Sequence, residues 1–340
     1  MTISLLETNQ RNKQSIWQFW LALADAADSD LAALIDGAAA GDARWFGPAP
    51  IDQMPSNAVY LRHYLLPLRR SFPNLTRHTH IFMAGESNGK ADGAEDGRLW
   101  VGGTGLLTGV FEWDFLGIPA TVGRVSIRWS EFFLMEDGRI AESYFLLDLV
   151  DLMQQAGVHA LPQARGRDHV YPAPGGGDAV FLAPQDADAT GQSMALIRAF
   201  LFDSLNSYDQ KDLSSMGVAD YFSKQVRWYG PGGIGACLNL REFERLHQQP
   251  WLTAFPDRKV QDLDSLFAEG NFAASSGWGA VSATHAGPYL GCPATGNEIT
   301  TNGIDFWRRQ DNRYVENWVF VDMIHLFRQF GVDLLAKVSL

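Results

Sequence analysis

Apolar positions along this chain follow two rhythms, and the rhythms change places in a fixed order. Ile16, Phe19, Trp20 and Leu23 fall at helical spacing, as do Ile197, Phe200 and Leu201, so each stretch predicts an amphipathic helix. A second helical stretch passes through Tyr60, Tyr64 and Leu68. Its counterpart passes through Phe243, Leu246 and Trp251, and each ends at a Phe-Pro dipeptide, which stops a helix. Strand-like segments rich in β-branched and aromatic residues follow over 79–84, 99–111, 125–135 and 140–147, and Asp137-Gly138 marks a hairpin turn between the last two. Asp311-Asn312 takes that place later in the chain. Short apolar helices over 149–156 and 323–330 close each series before a glycine. Helices, then a meander, then a terminal helix predict an α+β fold with helices covering one face of a curved sheet.

The order occurs twice because the sequence repeats. Trp45-Phe46-Gly47-Pro48 returns as Trp228-Tyr229-Gly230-Pro231, an offset of 183 residues. Leu116-Gly117-Ile118-Pro119-Ala120-Thr121 returns as Leu290-Gly291-Cys292-Pro293-Ala294-Thr295, and Glu142-x-Tyr144-x-x-x-Asp148 as Glu316-x-Trp318-x-x-x-Asp322, both at an offset of 174. The polar stretch 86–97 in the first copy accounts for the difference and reads as a lengthened hairpin loop. A period this long indicates duplicated domains rather than a solenoid. The expected boundaries are 1–158 for the first domain, 159–192 for a Pro/Gly-rich linker, and 193–340 for the second domain.

Composition narrows the function classes. The 340 residues include 27 Lys+Arg against 39 Asp+Glu, a net charge of −12, without a basic run, which argues against nucleic acid or an anionic membrane as partner. With 46% hydrophobic and 19% charged residues, the chain has material for large cores. The N-terminus lacks the basic and apolar regions of a signal peptide, and no uncharged run approaches a membrane span, so a cytoplasmic protein is expected. Cys237 and Cys292 form neither a disulfide framework nor a zinc signature. The runs Gly102-Gly103-Thr104-Gly105 and 230–235 lack the complete dinucleotide fingerprint and the phosphate-loop ending, which excludes nucleotide binding by those motifs.

The Gly-x-Pro-x-Thr turn, the hairpin strand, Glu-x-(Trp/Tyr)-x-x-x-Asp and the final helix closing on glycine resemble the SnoaL-like polyketide cyclases of the nuclear-transport-factor-2-like superfamily. The resemblance covers nearly the whole of both copies. It implies two tandem cone-shaped α+β barrels. It also implies a cofactor-independent enzyme (cyclase, isomerase, dehydratase or retro-aldol lyase) acting on a small aromatic or polyketide-like substrate. The resemblance places the general acid/base on Asp148 and Asp322. The His that often precedes that aspartate in the family is replaced by Leu134 and Arg308.

The residues permit a parallel reading. Glu316, Trp318, Phe320 and Asp322 share one strand face, as do Glu142, Tyr144, Leu146 and Asp148. A carboxylate at the bottom of an aromatic cavity acquires a raised pKa and can exchange a proton with a carbon acid. The alternative is that each aspartate N-caps the helix that follows it. Asp322, Asp148 and His285 are therefore the catalytic candidates, with His285 and Asp322 as a dyad. Substrate-binding candidates are Trp318, Tyr144, Arg308, Glu131, Asp305, Trp228, Tyr229, Trp45 and His80. Glu131 and Asp305 occupy equivalent positions and supply a second acid in each copy, or else a surface acid on the outer face. Arg308 is read as an oxyanion holder or an exposed ion-pair partner. His78 and His80 lack a third ligand, so no metal site is expected. No cofactor is expected. The anticipated partner is a small molecule, with the two copies forming an internal pseudo-dimer and a further homodimer left open. A ligand-binding or assembly module, with one copy purely structural, is the competing reading.

Overall fold

The computed structural model describes residues 4–177, 179–209 and 212–336. The chain divides into two compact units. One comprises Met1–Ser87, Gly97–Leu147 and Ala173–Pro184; the other comprises Asn88–Asp96, Asp148–Pro172 and Gln185–Leu340. Each is α+β. No helix among the described residues is long and apolar enough to cross a membrane.

The first unit opens with the helix Leu5–Asp25, started by a capping box between Ser4 and Glu7, and a second helix Leu31–Ala38. Its sheet contains β1 (Ala39–Phe46), β2 (Gln53–Met54), β3 (Thr76–Glu86), β4 (Leu99–Val110), β5 (Arg124–Glu136) and β6 (Arg139–Leu147), in the order β2-β1-β6-β5-β4-β3. The meander β3 to β6 is antiparallel, and β1 joins β6 in parallel. The sequence pattern predicts the meander closely but not β1, whose alternation is interrupted by exposed Gly41 and Asp42. The glycines of β4 serve packing: a Cβ on Gly103 would stand 2.6 Å from the Trp20 ring, and one on Gly105 would stand 1.9 Å from the His78 carbonyl oxygen. The latter approach coincides with the irregular register between Thr79 and Ile81.

The second unit repeats this plan. Its strands are β7 (Phe222–Tyr229), β8 (Ala236–Cys237), β9 (Lys259–Val260), β10 (Ser265–Glu269), β11 (Phe272–Thr284), β12 (Glu298–Gln310) and β13 (Arg313–Val321). The order β8-β7-β13-β12-β11-β10 matches the first sheet, with β9 and β10 standing where β3 is continuous and β7 again parallel to β13.

Both units widen a helix in the same place. The segment 57–71 passes through a π-helical stretch, Leu61–Leu65, and the segment 240–254 through another, Phe243–Gln248. Pro67 and Pro250 follow directly. A proline has no N–H for the carbonyl four residues back and crowds it, so the preceding turn widens. Tyr64 and His247 sit in these widened turns.

Described parts of the segment read as linker are hydrogen-bonded to the units they belong to. Within the second unit, Gly166 N–H donates to the Ile234 carbonyl, Arg167 pairs with Ala236, and Trp318 Nε1 donates to the Pro172 carbonyl at 2.9 Å. Within the first, residues 179–181 bridge Phe82 of β3. The polar stretch 86–97 does more than lengthen a hairpin. Asn88 and Lys90 accept from Arg198, and Asp262 accepts from Ala91 N–H, all within the second unit.

Candidate functional site

Strand parity decides which side chains meet in each unit. In β12 the residues Thr301, Gly303, Asp305 and Trp307 line a cavity of about 180 Å³, joined by their β13 neighbours Val321, Val319 and Asn317. Trp228, Phe243, His247, Trp251 and Arg258 also contribute to the wall. Glu316 and Trp318 alternate with these residues and lie on the opposite face. The sequence reading grouped Glu316, Trp318, Phe320 and Asp322 on one face; of these Phe320 reaches the cavity wall, while Glu316, Trp318 and Asp322 are not among its lining residues.

On that opposite face Glu316 accepts from Arg308 Nε at 2.5 Å and from the Tyr229 hydroxyl at 3.4 Å. Arg308 is thus committed to an ion pair. Tyr229 and Trp318 pack with ring centroids 5.4 Å apart, both buried. The first unit repeats the cluster: Glu142 accepts from Arg98 at 3.1 Å, from the Tyr144 hydroxyl at 3.0 Å and from Arg44, while Tyr144 stacks on Phe46.

Asp322 and Asp148 are helix caps. Asp322 Oδ1 accepts from His325 N–H at 2.9 Å at the start of the helix Met323–Gln329. Asp148 Oδ1 accepts from Asp151 N–H at 3.0 Å and Oδ2 from Gly232 N–H at 2.8 Å. A carboxylate holding backbone donors is engaged in structure, and neither aspartate is among the residues lining the cavity of Asp305 or that of Glu131. Asp322→Ala is expected to cost about 1 kcal/mol in urea unfolding, and Asp322→Asn, which keeps a capping carbonyl, only a few tenths. Equal losses for the two variants would contradict the capping role.

His285 is not brought into a dyad with Asp322. Its Nδ1 lies 3.0 Å from Thr295 Oγ1, its ring stacks 3.9 Å from Phe330, and burial lowers its pKa. His80 sits at the irregular register of β3, where burial, and then His78, lowers its pKa. Trp45 is buried, stacked on Tyr60 at 3.8 Å, with Nε1 donating to Asn57 at 3.1 Å. Among the described residues no group of three or more His, Cys, Asp or Glu could hold a metal ion.

Asp305 and Trp228 are the candidates that face the second unit's cavity. Burial pushes the Asp305 carboxyl up to about 7, against a smaller opposing effect of a hydrogen bond from Asn317. His247, which the sequence reading did not single out, stacks on Trp228 at 4.0 Å. Its Nδ1 is sealed from solvent without a hydrogen-bond partner. Burial, and then the Arg258 charge, holds the imidazole down to about 3, so it is neutral at physiological pH. Burial also brings Arg258 down to about 10. The site thus combines a carboxyl poised to gain or lose a proton, a neutral imidazole and aromatic walls.

The first unit carries the equivalent acid in a different setting. Glu131 lines a cavity of about 1100 Å³ together with Trp20, Tyr60, Tyr64 and Arg77. Arg77 pairs with Glu131 at 3.1 Å, and its guanidinium lies 4.6 Å from the Trp20 ring centroid and 4.1 Å from that of Trp129. In the repeat Val260 stands where Arg77 does, and His247 where Tyr64 does. Tyr64 and His247 could have been found in the sequence by that equivalence together with the proline three residues later.

Residues 209–330 match the SnoaL-like polyketide cyclase family. Solved structures similar to the chain include AclR from Streptomyces galilaeus (23% identity, 42% of this chain and 82% of that one, TM-score 0.34). IdmH from Streptomyces antibioticus aligns at 21% identity over 42% of this chain and 99% of its own, with TM-score 0.33. An NTF2-like protein from Burkholderia thailandensis aligns at 19% identity over 41% and 97%, with TM-score 0.32. No curated protein matches the chain.

Proposed function

We propose that the second unit is a cofactor-independent acid/base enzyme of the SnoaL-like kind, with Asp305 as the group that moves the proton. The single observation carrying this reading is the Asp305 carboxyl in an aromatic cavity with its pKa pushed up to about 7. Near neutral pH such a carboxyl is divided between base and acid forms, so it can take a proton from carbon and return it to oxygen or to a neighbouring carbon. Trp228 and Trp251 would hold an aromatic ring, with the neutral His247 stacked on Trp228 as part of that wall. The cavity of about 180 Å³ has room for roughly six water-sized units, the bulk of one substituted ring. The reaction class is proton transfer next to a carbonyl, as in isomerisation, dehydration, retro-aldol cleavage or ring closure of a small aromatic carbonyl compound. The match of residues 209–330 to the polyketide cyclase family supports the class.

The test is deuterium incorporation from D₂O at the carbon next to the carbonyl in a panel of single-ring aromatic ketones, followed by proton NMR. Asp305→Asn is expected to lower the exchange rate by about 10²- to 10⁴-fold, while Asp322→Asn leaves it within about twofold. Exchange that survives Asp305→Asn would remove the proposal.

A further inference from the structure

Arg258 follows the Phe255-Pro256 stop, its N–H donating to the Phe255 carbonyl just ahead of β9, and its side chain reaches the wall of the second unit's cavity. It is nearly buried, and its pKa of about 10 leaves it charged at physiological pH. Yet among the described residues no carboxylate pairs with it. Only Nη2 has partners there, the Leu205 carbonyl at 3.2 Å and the Met216 sulfur at 3.3 Å, and the guanidinium carbon lies 6.0 Å from the Tyr208 ring centroid. One carbonyl and one thioether do not offset the lost hydration of a guanidinium, which normally takes an acid into the interior with it. Among the described residues lining this cavity, Arg258 is the one Lys or Arg and Asp305 the one acid. The two do not serve each other. The Asp305 carboxyl answers to burial and to a hydrogen bond from Asn317, whereas the Arg258 charge is felt by His247. An otherwise uncharged cavity therefore carries one unmatched positive charge at its His247 end.

We infer that Arg258 sets the substrate class of the second unit: an aromatic carbonyl compound that also carries a single carboxylate, which the guanidinium receives. The inference rests on the reading of this cavity as the substrate site of an acid/base enzyme. A carboxylate presents two acceptor oxygens to a planar set of donors and meets one buried charge with one. A phosphate dianion would leave a negative charge in excess in the same apolar surroundings. The repeat supplies a separate reason. Leu75 of the first copy stands where Arg258 does, and the first copy's cation, Arg77, stands where the second has Val260. Arg77 is spent on Glu131 at 3.1 Å. Each copy thus places one cation on the same stretch of chain, and the second holds its own two residues earlier, where no acid of the described chain takes it up.

The probes are 4-oxo-4-phenylbutanoate, a one-ring ketone with a carboxylate, and its primary amide, which has the same shape without the charge. Titrated into the full chain near neutral pH and followed by calorimetry, the carboxylate is expected to bind at least tenfold more tightly than the amide. Arg258→Met, which keeps an unbranched side chain but not its charge, is expected to bring the two affinities within about twofold by weakening the carboxylate alone. The same variant is expected to keep or raise the urea midpoint, since it removes a buried charge that no acid matches. Should it fail to fold, Arg258→Gln, also uncharged but still able to donate to Leu205, carries the same expectation for binding. The inference is overturned by equal affinities in the parent chain, by no carboxylate binding up to the solubility limit, or by a preference that survives loss of the charge. A lowered urea midpoint with the preference intact would make Arg258 a structural tie to Leu205 instead. Phenyl phosphate binding more tightly than the carboxylate would overturn the single charge. Deuterium exchange into the bound carboxylate reads Asp305 separately: exchange that survives Asp305→Asn while the tenfold preference holds would remove the acid/base reading and leave the carboxylate site standing.

Discussion

Asp305→Asn is expected to stabilise the chain at pH 8 while slowing proton transfer by about 10²- to 10⁴-fold, and the gain in stability is expected to shrink toward zero as the pH falls to about 4. The carboxyl's pKa is about 7 in the folded chain and roughly 3.9 when unfolded. Between those values the folded state holds a proton that the unfolded state has released, so stability falls as pH rises through this window and levels off above it. Three units correspond to a loss on the order of 4 kcal/mol, an upper figure because water entering the cavity relieves part of it. Asparagine has nearly the same shape, still accepts from Asn317, and does not ionise. The measurement is the difference in urea-unfolding free energy between variant and parent at several pH values, which cancels the other carboxylates. A difference that does not change with pH would show that Asp305 titrates like an exposed acid, and its candidacy as the proton-transfer group would end with it. Opposite effects on stability and activity from one side chain are what a site that stores an unfavourable charge for chemistry should display.

Much of this was legible in the residues, and the part that was not has a definite cause. Four strands in the first copy, their counterparts in the second, and both closing helices follow from periodicity and turn residues, and the duplicated order follows from the matched motifs. The strands β1 and β7 escaped because Gly41, Asp42, Lys224 and Gln225 break their alternation; they are held by parallel pairing to β6 and β13, a long-range effect. In the site, alternation grouped Glu316, Trp318, Phe320 and Asp322 but could not say which face looks inward, and only Phe320 of these reaches the cavity. Asp305 was visible as the acid paired with Asp322 yet ranked below it, because the family motif draws attention to the cap. His247 was invisible to motif reading, since its equivalent is a tyrosine. Both become conspicuous once the widened turn before Pro67 and Pro250 is seen.

Arg77→Leu is expected to destabilise the first unit by on the order of 3 kcal/mol, more than an ordinary surface ion pair would lose. The reason lies in what remains. Glu131 is nearly buried, and without Arg77 its charge loses the partner at 3.1 Å that offsets its desolvation. The guanidinium also lies over the rings of Trp20 and Trp129, so its removal takes away two cation–π contacts. These two contributions are separable. Glu131→Gln removes the charge that needs matching while nearly keeping the volume, so adding it to Arg77→Leu should recover the part of the loss due to the stranded carboxylate, on the order of 2 kcal/mol, and leave the aromatic part. The double-mutant cycle in urea unfolding is the measurement, with Arg77→Lys as a check on geometry: an ammonium keeps the charge but loses the planar group that lies over two rings, and an intermediate loss is expected. Additive effects of Arg77→Leu and Glu131→Gln would mean that the pair is solvent-screened and energetically minor. The larger cavity would then owe its shape to the tryptophans alone, and Arg77 would no longer explain why the two copies treat the same acid position differently.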